Sequence, residues 1–396
     1  MKPTQAGARG RAALVAAAVL GTVGALGMAP LPAHAADTVP LELFVGSQGQ
    51  FLPVIEVSVN GSDPLRMLAD TGSNILVTFP GALATATTPP FDTGIAHTAN
   101  YTGTQATGEV ATAFVTIGGH TTPQPIAFLD ASTCTPACLG TGIGAGLDGI
   151  LGIGQAQLSL SSGPDTYNLY SALAQLGGTI AEGYTVRLAT SGSSLELGAP
   201  SPGPDDIVIP QALATGVYGN GWPIHEKRVD LCFRIDTATQ CLGTTVDTGE
   251  LSATLMGTVF LPWVDLFAHP VHVPGVDITH EGTVLAGTPI SYLTPDGQTV
   301  AAWTTSGNPF EAGYYSTTGV PYLNTGNGFF LGRAVGFDFR RGLIVLPETA
   351  QPQLAATGTA PAPHTTILAL GAVLTGLAFA VAGTAVRRRH SSRPGA

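Results

Sequence analysis

The sequence lacks the signatures of several common enzyme classes. It has no Gly-x-Ser-x-Gly or His-Glu-x-x-His motif, its nine histidines are scattered, and only 10% of its 396 residues are charged. These absences give no support to serine hydrolases with a nucleophile elbow or to zinc peptidases, and we expect no metal and no cofactor. A tandem repeat array of the kind found in structural adhesins is also missing from the sequence.

Positive charge is scarce in the central part of the chain. All 26 acidic residues, but only 8 of the 15 basic ones, lie between Asp37 and Glu348, so this body carries a net charge of about −18. Nucleic acids and anionic lipids are bound through basic patches, and neither is an expected partner. Protonation of carboxylates relieves the self-repulsion of such a body, which is compatible with an acid-tolerant protein.

Both ends of the chain resemble targeting segments. Residues 1–35 are predicted to be a signal peptide, because a basic start is followed by an apolar run and by the cleavage pattern Ala33-His34-Ala35. An uncleaved membrane anchor is the alternative. Residues 366–386 are uncharged, apolar and long enough to cross a bilayer as a helix. The basic tail, residues 387–396, then places the C-terminus in the cytoplasm and the body outside.

A short motif lies in the spacer of residues 349–365, just before the apolar segment. The sequence Leu354-Ala355-Ala356-Thr357-Gly358, followed by the helix and the basic tail, resembles a sortase sorting signal of actinobacterial surface proteins. The resemblance implies cleavage between Thr357 and Gly358 and attachment to the cell wall, with sortase and peptidoglycan as partners. Without a sortase, a tail-anchored membrane protein is the alternative. In both cases we expect an exported protein at the cell surface.

The four cysteines form two closely spaced pairs, Cys134 with Cys138 and Cys232 with Cys241. Four cysteines allow three pairings, and the two short local loops are the simplest. Zinc is the alternative, but no histidine or cysteine pair completes a ligand set around them. We therefore expect two disulfides, as is typical of the oxidising side of a membrane.

The composition of the body predicts an all-β fold. Thr, Val, Gly and Pro are abundant, and short apolar runs end at turn residues such as Asn60-Gly61. Tyr167–Leu176 is one of few helix candidates. A proline-rich break at Pro200–Pro204 divides the body into predicted lobes at residues 36–200 and 201–348.

Two Asp-Thr-Gly triplets lie at similar places in the two predicted lobes. Asp70-Thr71-Gly72-Ser73 and Asp247-Thr248-Gly249 each follow an apolar strand. An apolar-apolar-Gly block follows each triplet at nearly the same distance along the chain, the first ending at Gly152 and the second being Phe329-Phe330-Leu331-Gly332. The similar spacing indicates a duplication. A third triplet, Asp92-Thr93-Gly94, lacks this context, and we interpret it as a surface turn.

These features together resemble the pepsin-type aspartic proteases along nearly the whole body. Tyr101–Gly108 resembles the flap hairpin of that family, with Tyr101 at the flap tyrosine, and Leu147–Gly152 matches its apolar-apolar-Gly block. Bacterial members such as the mycobacterial surface aspartic proteases look like the closer comparison. The resemblance implies a bilobal double β-barrel with a few short helices and an active-site cleft between the lobes. We expect a monomer.

The resemblance also implies a role for each site residue. Asp70 and Asp247 would share one proton and activate a water against a peptide bond of an extended polypeptide substrate. The sequence does not distinguish which aspartate is ionised. Tyr101 would close the hairpin over the substrate. The residues that would hold the pair in place are Thr71, Gly72, Ser73, Thr248 and Gly249.

Two of the chain's departures from the family bear on its activity. Glu250 follows the second triplet, where the family has a serine or threonine that supports the aspartate; Ser252 or a neighbour is the alternative support. Only the short segment Ala36–Ala69 separates the predicted signal cleavage site from Asp70, so we expect no basic pro-segment and no zymogen step. The alternative function, favoured by Glu250, is a catalytically silent pepsin-fold surface protein that binds other molecules.

Overall fold

The computed structural model describes most of the central body of the chain. The predicted signal peptide, sorting motif, apolar helix and basic tail lie outside the described residues. Within the part of the chain that it describes, no helix is long and apolar enough to cross a membrane. The described residues are 37–45, 51–101, 104–135, 137–138, 146–257, 267–268, 281–306, 312–315 and 321–347.

The regular structure of the described residues is almost entirely β-strand, with only short 3-10 turns beside it, which confirms the all-β prediction. The first strands are β1 (Asp37–Pro40), β2 (Glu42–Val45), β3 (Phe51–Val59), β4 (Leu65–Asp70), β5 (Leu76–Thr78), β6 (Phe91–Tyr101), β7 (Thr104–Ala113), β8 (Val115–Ile117), β9 (His120–Thr121), β10 (Ile126–Thr135) and β11 (Gly149–Gly152). The middle strands are β12 (Gln157–Ser162), β13 (Asp165–Tyr170), β14 (Gly183–Arg187), β15 (Ser194–Leu197), β16 (Ile207–Pro210), β17 (Leu213–Val217) and β18 (Pro223–His225).

The remaining strands are β19 (Arg228–Ile235), β20 (Ala238–Thr245), β21 (Ala253–Met256), β22 (Phe267–Ala268), β23 (Glu281–Val284), β24 (Pro289–Leu293), β25 (Thr299–Thr304), β26 (Ala312–Tyr315), β27 (Tyr322–Asn324), β28 (Ala334–Asp338) and β29 (Leu343–Leu346). Short 3-10 turns occur at Ala82–Thr85, Leu173–Gln175, Thr179–Glu182 and Asn327–Phe330.

Two large sheets have the same strand order. The first follows the order β6-β7-β10-β5-β11-β4-β3-β8-β9, with β2 added beside β3, and the second follows β22-β23-β26-β21-β27-β20-β19-β24-β25. The parallel contacts fall at the same steps: β4 with β11 and β5 with β10 in the first sheet, β20 with β27 and β21 with β26 in the second. The two sheets are therefore two copies of one topology, as the duplicated triplets indicate.

A third sheet combines strands from distant parts of the body. Its order is β1-β15-β14-β28-β29-β16, and β14 pairs directly with β28 although the two are far apart in the chain. Tyr184 of β14 stacks on Phe337 of β28 with ring centroids 4.9 Å apart, and both side chains are buried. This sheet ties the start of the body to its end; the division into two lobes near Pro200 stays a prediction.

Local sequence explains how the chain enters the first site strand. Asn60 and Gly61 both adopt positive φ, 47° and 70°, which these two residue types tolerate better than others. The chain reverses there from β3 to β4, and the two strands pair antiparallel with Val54 opposite Leu68. Both of these side chains are buried, so apolar packing anchors the strand that ends at Asp70.

The predicted helix at Tyr167–Leu176 does not form. Asp165–Tyr170 is strand β13, which pairs with β12 along its whole length, and only Leu173–Gln175 makes a 3-10 turn. Helix propensity is a weak preference that tertiary contacts override. Here the continuous pairing with β12 supplies the backbone partners that a helix would supply locally.

Candidate active site

The two main triplets lie at equivalent points of the two sheets. Asp70 is the last residue of β4 and lies opposite Gly152 of β11, while Asp247 follows shortly after the end of β20, beside β27. In each sheet the chain leaves a buried strand next to a parallel neighbour. The two Asp-Thr-Gly turns meet at this point through their side chains and backbone.

The two threonines interlock across the site. The Thr71 hydroxyl donates to the Val246 carbonyl at 2.7 Å and accepts from the Thr248 N–H at 2.9 Å. The Thr248 hydroxyl donates to the Ala69 carbonyl at 2.6 Å and accepts from the Thr71 N–H at 3.0 Å. All four bonds are buried, so each hydroxyl satisfies two backbone groups and locks one triplet to the other.

The two glycines let the carboxyls approach. A Cβ at Gly72 would overlap the Asp247 carboxyl, and a Cβ at Gly249 would lie about as close to the Asp70 carboxyl. The Gly72 N–H donates to Asp70 Oδ1 at 2.7 Å and the Gly249 N–H donates to Asp247 Oδ1 at 2.8 Å. Any other residue at either position would place a Cβ in the space that the opposite carboxyl occupies, so both positions require glycine.

The third triplet shows which features belong to the motif alone. The Gly94 N–H also donates to Asp92 Oδ1, at 2.8 Å, so this short contact is local to any such triplet. The Thr93 hydroxyl, however, bonds Val110 on the neighbouring strand, and Asp92 is exposed. The triplet is not a free surface turn as we predicted: it lies in β6 at an irregularity in the pairing with β7. The structure brings it to neither aspartate of the site.

The Asp70 and Asp247 carboxyls are buried together. They are only 6% and 9% exposed, and each lies against the glycine of the opposite triplet. Burial raises the pKa of Asp70 to about 8, with the charge of Asp247 adding to the shift, while Ser73 and Lys227 oppose it. Two carboxyls this close cannot both ionise easily, so the pair holds one proton over a wide pH range.

A cavity of about 370 Å³ opens over the pair. Residues from both large sheets line it, and they include both aspartates, both triplet glycines and Ser73. The other lining residues are Leu68, Asn74, Ile75, Ala99, Asn100, Tyr101, Ile150, Lys227, Arg228, Thr245, Glu250, Tyr322 and Asn324. The apolar walls and central polar groups are typical of a site that binds an organic substrate.

Tyr101 lies at the end of a hairpin that borders this cavity. It is the last residue of β6 and lies opposite Thr104, the first residue of β7. Burial, and next the charge of Asp70, raises the pKa of its phenol, which therefore stays neutral. The hydroxyls of Tyr101 and Ser73 are both buried without a well-formed hydrogen bond to any described residue. Ser73 is nevertheless near enough to Asp70 to favour its charged form.

The second apolar-apolar-Gly block is not where we predicted it. Phe329 and Phe330 belong to a 3-10 turn, and the strand beside β20 is β27, which continues into Thr325 and Gly326. The counterpart of Gly152 is therefore Gly326 rather than Gly332. A polar Asn324-Thr325-Gly326 replaces the apolar pattern, which is why a search for apolar residues misses it.

Two of these polar residues contact the second aspartate. Asn324 Nδ2 donates to Asp247 Oδ2 at 2.6 Å, and the Asp247 N–H donates to the Thr325 hydroxyl at 3.0 Å. The side-chain donor that reaches Asp247 is thus Asn324 rather than Ser252. The pairing of β27 with β20 identifies this residue, and no pattern in the sequence marks it.

Three of the described charged residues, besides the two aspartates, line the cavity: Lys227, Arg228 and Glu250. The Lys227 ammonium donates to the Gly72 carbonyl and lines the cavity, a contact that no sequence motif predicts. Glu250 also lines the cavity, and its carbonyl accepts from the Asn327 N–H at 2.8 Å. Its side chain contributes to raising the pKa of the neighbouring Tyr322 phenol, after burial. Among the described residues, no group of three or more potential metal ligands occurs.

Both expected cysteine pairs are bonded. Cys134 in β10 forms a disulfide with Cys138, and Cys232 and Cys241 form one across the paired strands β19 and β20. The second bridge fastens the strand that leads to Asp247. A disulfide restricts the unfolded chain and so stabilises the folded one.

Comparison with known families agrees with this geometry. Residues 55–154 match a family model described as aspartyl protease. The matched region contains the first triplet, the hairpin with Tyr101 and the block that ends at Gly152. A search of curated proteins finds no match. The match supports the aspartic protease class and a peptidase activity in general.

Proposed function

We propose that the protein is an aspartic endopeptidase that hydrolyses peptide bonds of extracytoplasmic proteins. The observation that carries the proposal is the Asp70–Asp247 pair: two buried carboxyls that lie close together at a cavity between two copies of one sheet topology. The aspartyl protease match over residues 55–154 supports it independently.

The proposed reaction uses one charged and one protonated carboxyl. The charged carboxyl takes a proton from a water between them as that water attacks the carbonyl carbon of the peptide, and the protonated carboxyl donates to the carbonyl oxygen. When the tetrahedral intermediate collapses, the C–N bond breaks and a proton passes to the leaving amine. The Thr71 and Thr248 contacts hold the two triplets together and so fix the relative position of the two carboxyls. The carboxyls therefore need to move little during the reaction.

We also propose that the protein works at the cell surface. The two disulfides favour an oxidising compartment, and the sequence signals at residues 1–35 and 354–358 favour export and attachment to peptidoglycan by sortase. Thr357→Ala should move the protein from the covalent cell-wall fraction to the membrane fraction. An unchanged wall-bound fraction would contradict sortase anchoring.

The activity is tested by cleavage of an unfolded protein or a peptide library across pH. We expect cleavage by the wild type that a statine-type transition-state mimic blocks. Asp70→Asn and Asp247→Asn should each abolish it. Asp92→Asn, the same change in the third triplet, is the matched control and should retain full activity.

Two results would overturn the proposal in different ways. Activity that survives Asp70→Asn or Asp247→Asn would remove the pair from the mechanism. A folded wild type that cleaves nothing at any pH would favour the catalytically silent binding protein, for which the same cavity would hold a ligand without reacting.

A further inference from the structure

The two copies of the repeat differ at the carboxyl pair itself. Strand register places Ile150 opposite Leu68, just before Asp70, and Asn324 opposite Thr245, just before Asp247. All four of these side chains line the cavity. One aspartate therefore has an apolar pair beside it and the other has a polar pair at the same positions.

The polar copy supports a charge on Asp247. Its Oδ1 accepts from the Gly249 N–H at 2.8 Å and its Oδ2 accepts from Asn324 Nδ2 at 2.6 Å, so both carboxyl oxygens accept a hydrogen bond. Donors aimed at both oxygens of a carboxyl favour its ionised form. The Asn324 amide thus supplies a donor in a site where Glu250 replaces the family-typical hydroxyl after the second triplet.

The orientation of the Asn324 amide follows from its other bond. Its Oδ1 accepts from the Gly326 N–H at 2.9 Å, which requires the oxygen on that side. The NH₂ group must then face Asp247, where it can only donate. The Gly326 turn thus fixes the amide with its donor toward the carboxyl.

The apolar copy opposes a charge on Asp70. Its Oδ1 accepts from the Gly72 N–H, but Leu68 and Ile150 stand where the other copy has Thr245 and Asn324. Burial is the largest cause that raises the pKa of this carboxyl. A buried carboxyl next to apolar side chains is costly to ionise, so Asp70 tends to keep its proton.

The other charged and titratable groups around the pair do not reverse this order. The Ser73 hydroxyl and Lys227 both favour the charged form of Asp70, but burial and the charge of Asp247 outweigh them. The phenols of Tyr101 and Tyr184 also face Asp70, and burial raises the pKa of each, which keeps both neutral. Near Asp247 the facing groups are Tyr322, Glu250 and Arg228.

We propose that Asp247 is the charged member of the resting pair, that Asp70 carries the proton, and that the Asn324 amide sets this order. The inference rests on the proposed function for its catalytic meaning. Asp247 then takes the proton from the attacking water and Asp70 donates its proton to the carbonyl oxygen. Asn324 is a positioning residue, because it acts through Asp247.

The kinetic test is the pH profile of kcat/KM for Asn324→Leu. A hydrogen bond to a charged group contributes enough to move a pKa by about 1–2 units, so the acid limb should move to higher pH by that amount. Asn324→Asp keeps the acceptor for Gly326 and the shape of the side chain, and should move the limb at least as far. A role limited to folding would lower the rate at every pH without moving the limb.

The matched control is Asn327→Leu. Asn327 is a nearby buried asparagine whose amide donates to the Phe51 carbonyl, not to the pair. This variant should leave the acid limb in place. An acid limb that moves equally in the Asn324 and Asn327 variants, or in neither, would refute the assigned role of Asn324.

The charge order is tested without activity by ¹³C NMR of the aspartate carboxyls. Asp70→Asn and Asp247→Asn assign the two resonances. We expect the resting pair to show the chemical shift of a carboxylate at Asp247 and that of a protonated carboxyl at Asp70. A charged Asp70 and a protonated Asp247 would overturn the inference even in an active enzyme. If the protein cleaves nothing but Asp247 is the charged member, the inference stands and the proposed function fails.

Discussion

The interlocked threonines yield the sharpest prediction for stability. Thr71→Val keeps the shape of the side chain but removes its hydroxyl. The buried Val246 carbonyl and Thr248 N–H then both lose their partner. An unsatisfied buried polar group costs about 1–3 kcal/mol, so the variant should lose about 2–6 kcal/mol of unfolding free energy.

The chain contains its own matched control for this substitution. The Thr93 hydroxyl also makes two bonds, to the Val110 carbonyl at 2.6 Å and from the Ile95 N–H at 3.3 Å. Thr93 and Ile95 are partly exposed, although Val110 is buried. Water can therefore replace the hydroxyl at the Ile95 N–H but not at the Val110 carbonyl, and Thr93→Val should cost about 1–3 kcal/mol, for one unsatisfied group instead of two. The same Thr→Val change in two Asp-Thr-Gly triplets, one interlocked and one not, therefore separates the stability contribution of the interlock from that of the motif.

The assay is urea unfolding of the purified protein followed by circular dichroism, together with peptide cleavage. Thr71→Ser, which retains the hydroxyl, should keep most of the stability if Thr71→Val does not fold. Equal losses for Thr71→Val and Thr93→Val, or a loss below about 0.5 kcal/mol for Thr71→Val, would refute the reasoning that the hydroxyl satisfies two buried backbone groups.

Two further predictions follow from the site. Gly72→Ala should abolish cleavage, because its Cβ would overlap the Asp247 carboxyl. The control is Gly94→Ala, whose Cβ meets open space; it should retain activity and lose only about 1 kcal/mol of stability from its positive φ. A fully active Gly72→Ala would contradict the close approach of the two carboxyls. Because the pKa of Asp70 is raised from 3.8 to about 8 by folding, its contribution to stability is complete below a pH of about 4 and is lost as the pH rises toward 8. The unfolding free energy should fall with pH by up to about 1.4 kcal/mol per pH unit, as measured by urea unfolding. This dependence should be absent in Asp70→Asn. Identical pH profiles for the two proteins would count against the raised pKa.

Much of the site could be predicted from the sequence because the two triplets are local patterns. The aspartate, threonine and glycine make the same short Asp–Gly contact in all three triplets of this chain. The apolar strand before Asp70 distinguishes the functional triplet from the copy at Asp92, and it is visible in the sequence. The all-β class and the two disulfide pairs follow from composition and spacing in the same way.

The rest depended on strand pairing, which a linear pattern does not contain. The predicted block at Phe329-Phe330-Leu331-Gly332 satisfied the apolar pattern, yet the strand beside Asp247 is β27, with polar residues after it. The predicted helix at Tyr167–Leu176 failed for a similar reason, since β12 pairs with its first half. In both places long-range partners, not local preference, chose the structure.

The sequence by itself determined which residues form the proposed catalytic pair: Asp70 and Asp247, with their threonines and glycines. Only the tertiary structure decided how the two members differ. Asn324 is distant from Asp247 in the chain and 2.6 Å from it in space, and Ile150 occupies the same position beside Asp70. Charge on a buried carboxyl is set by the donors and the solvent around it, and those neighbours come together only when the strands pair.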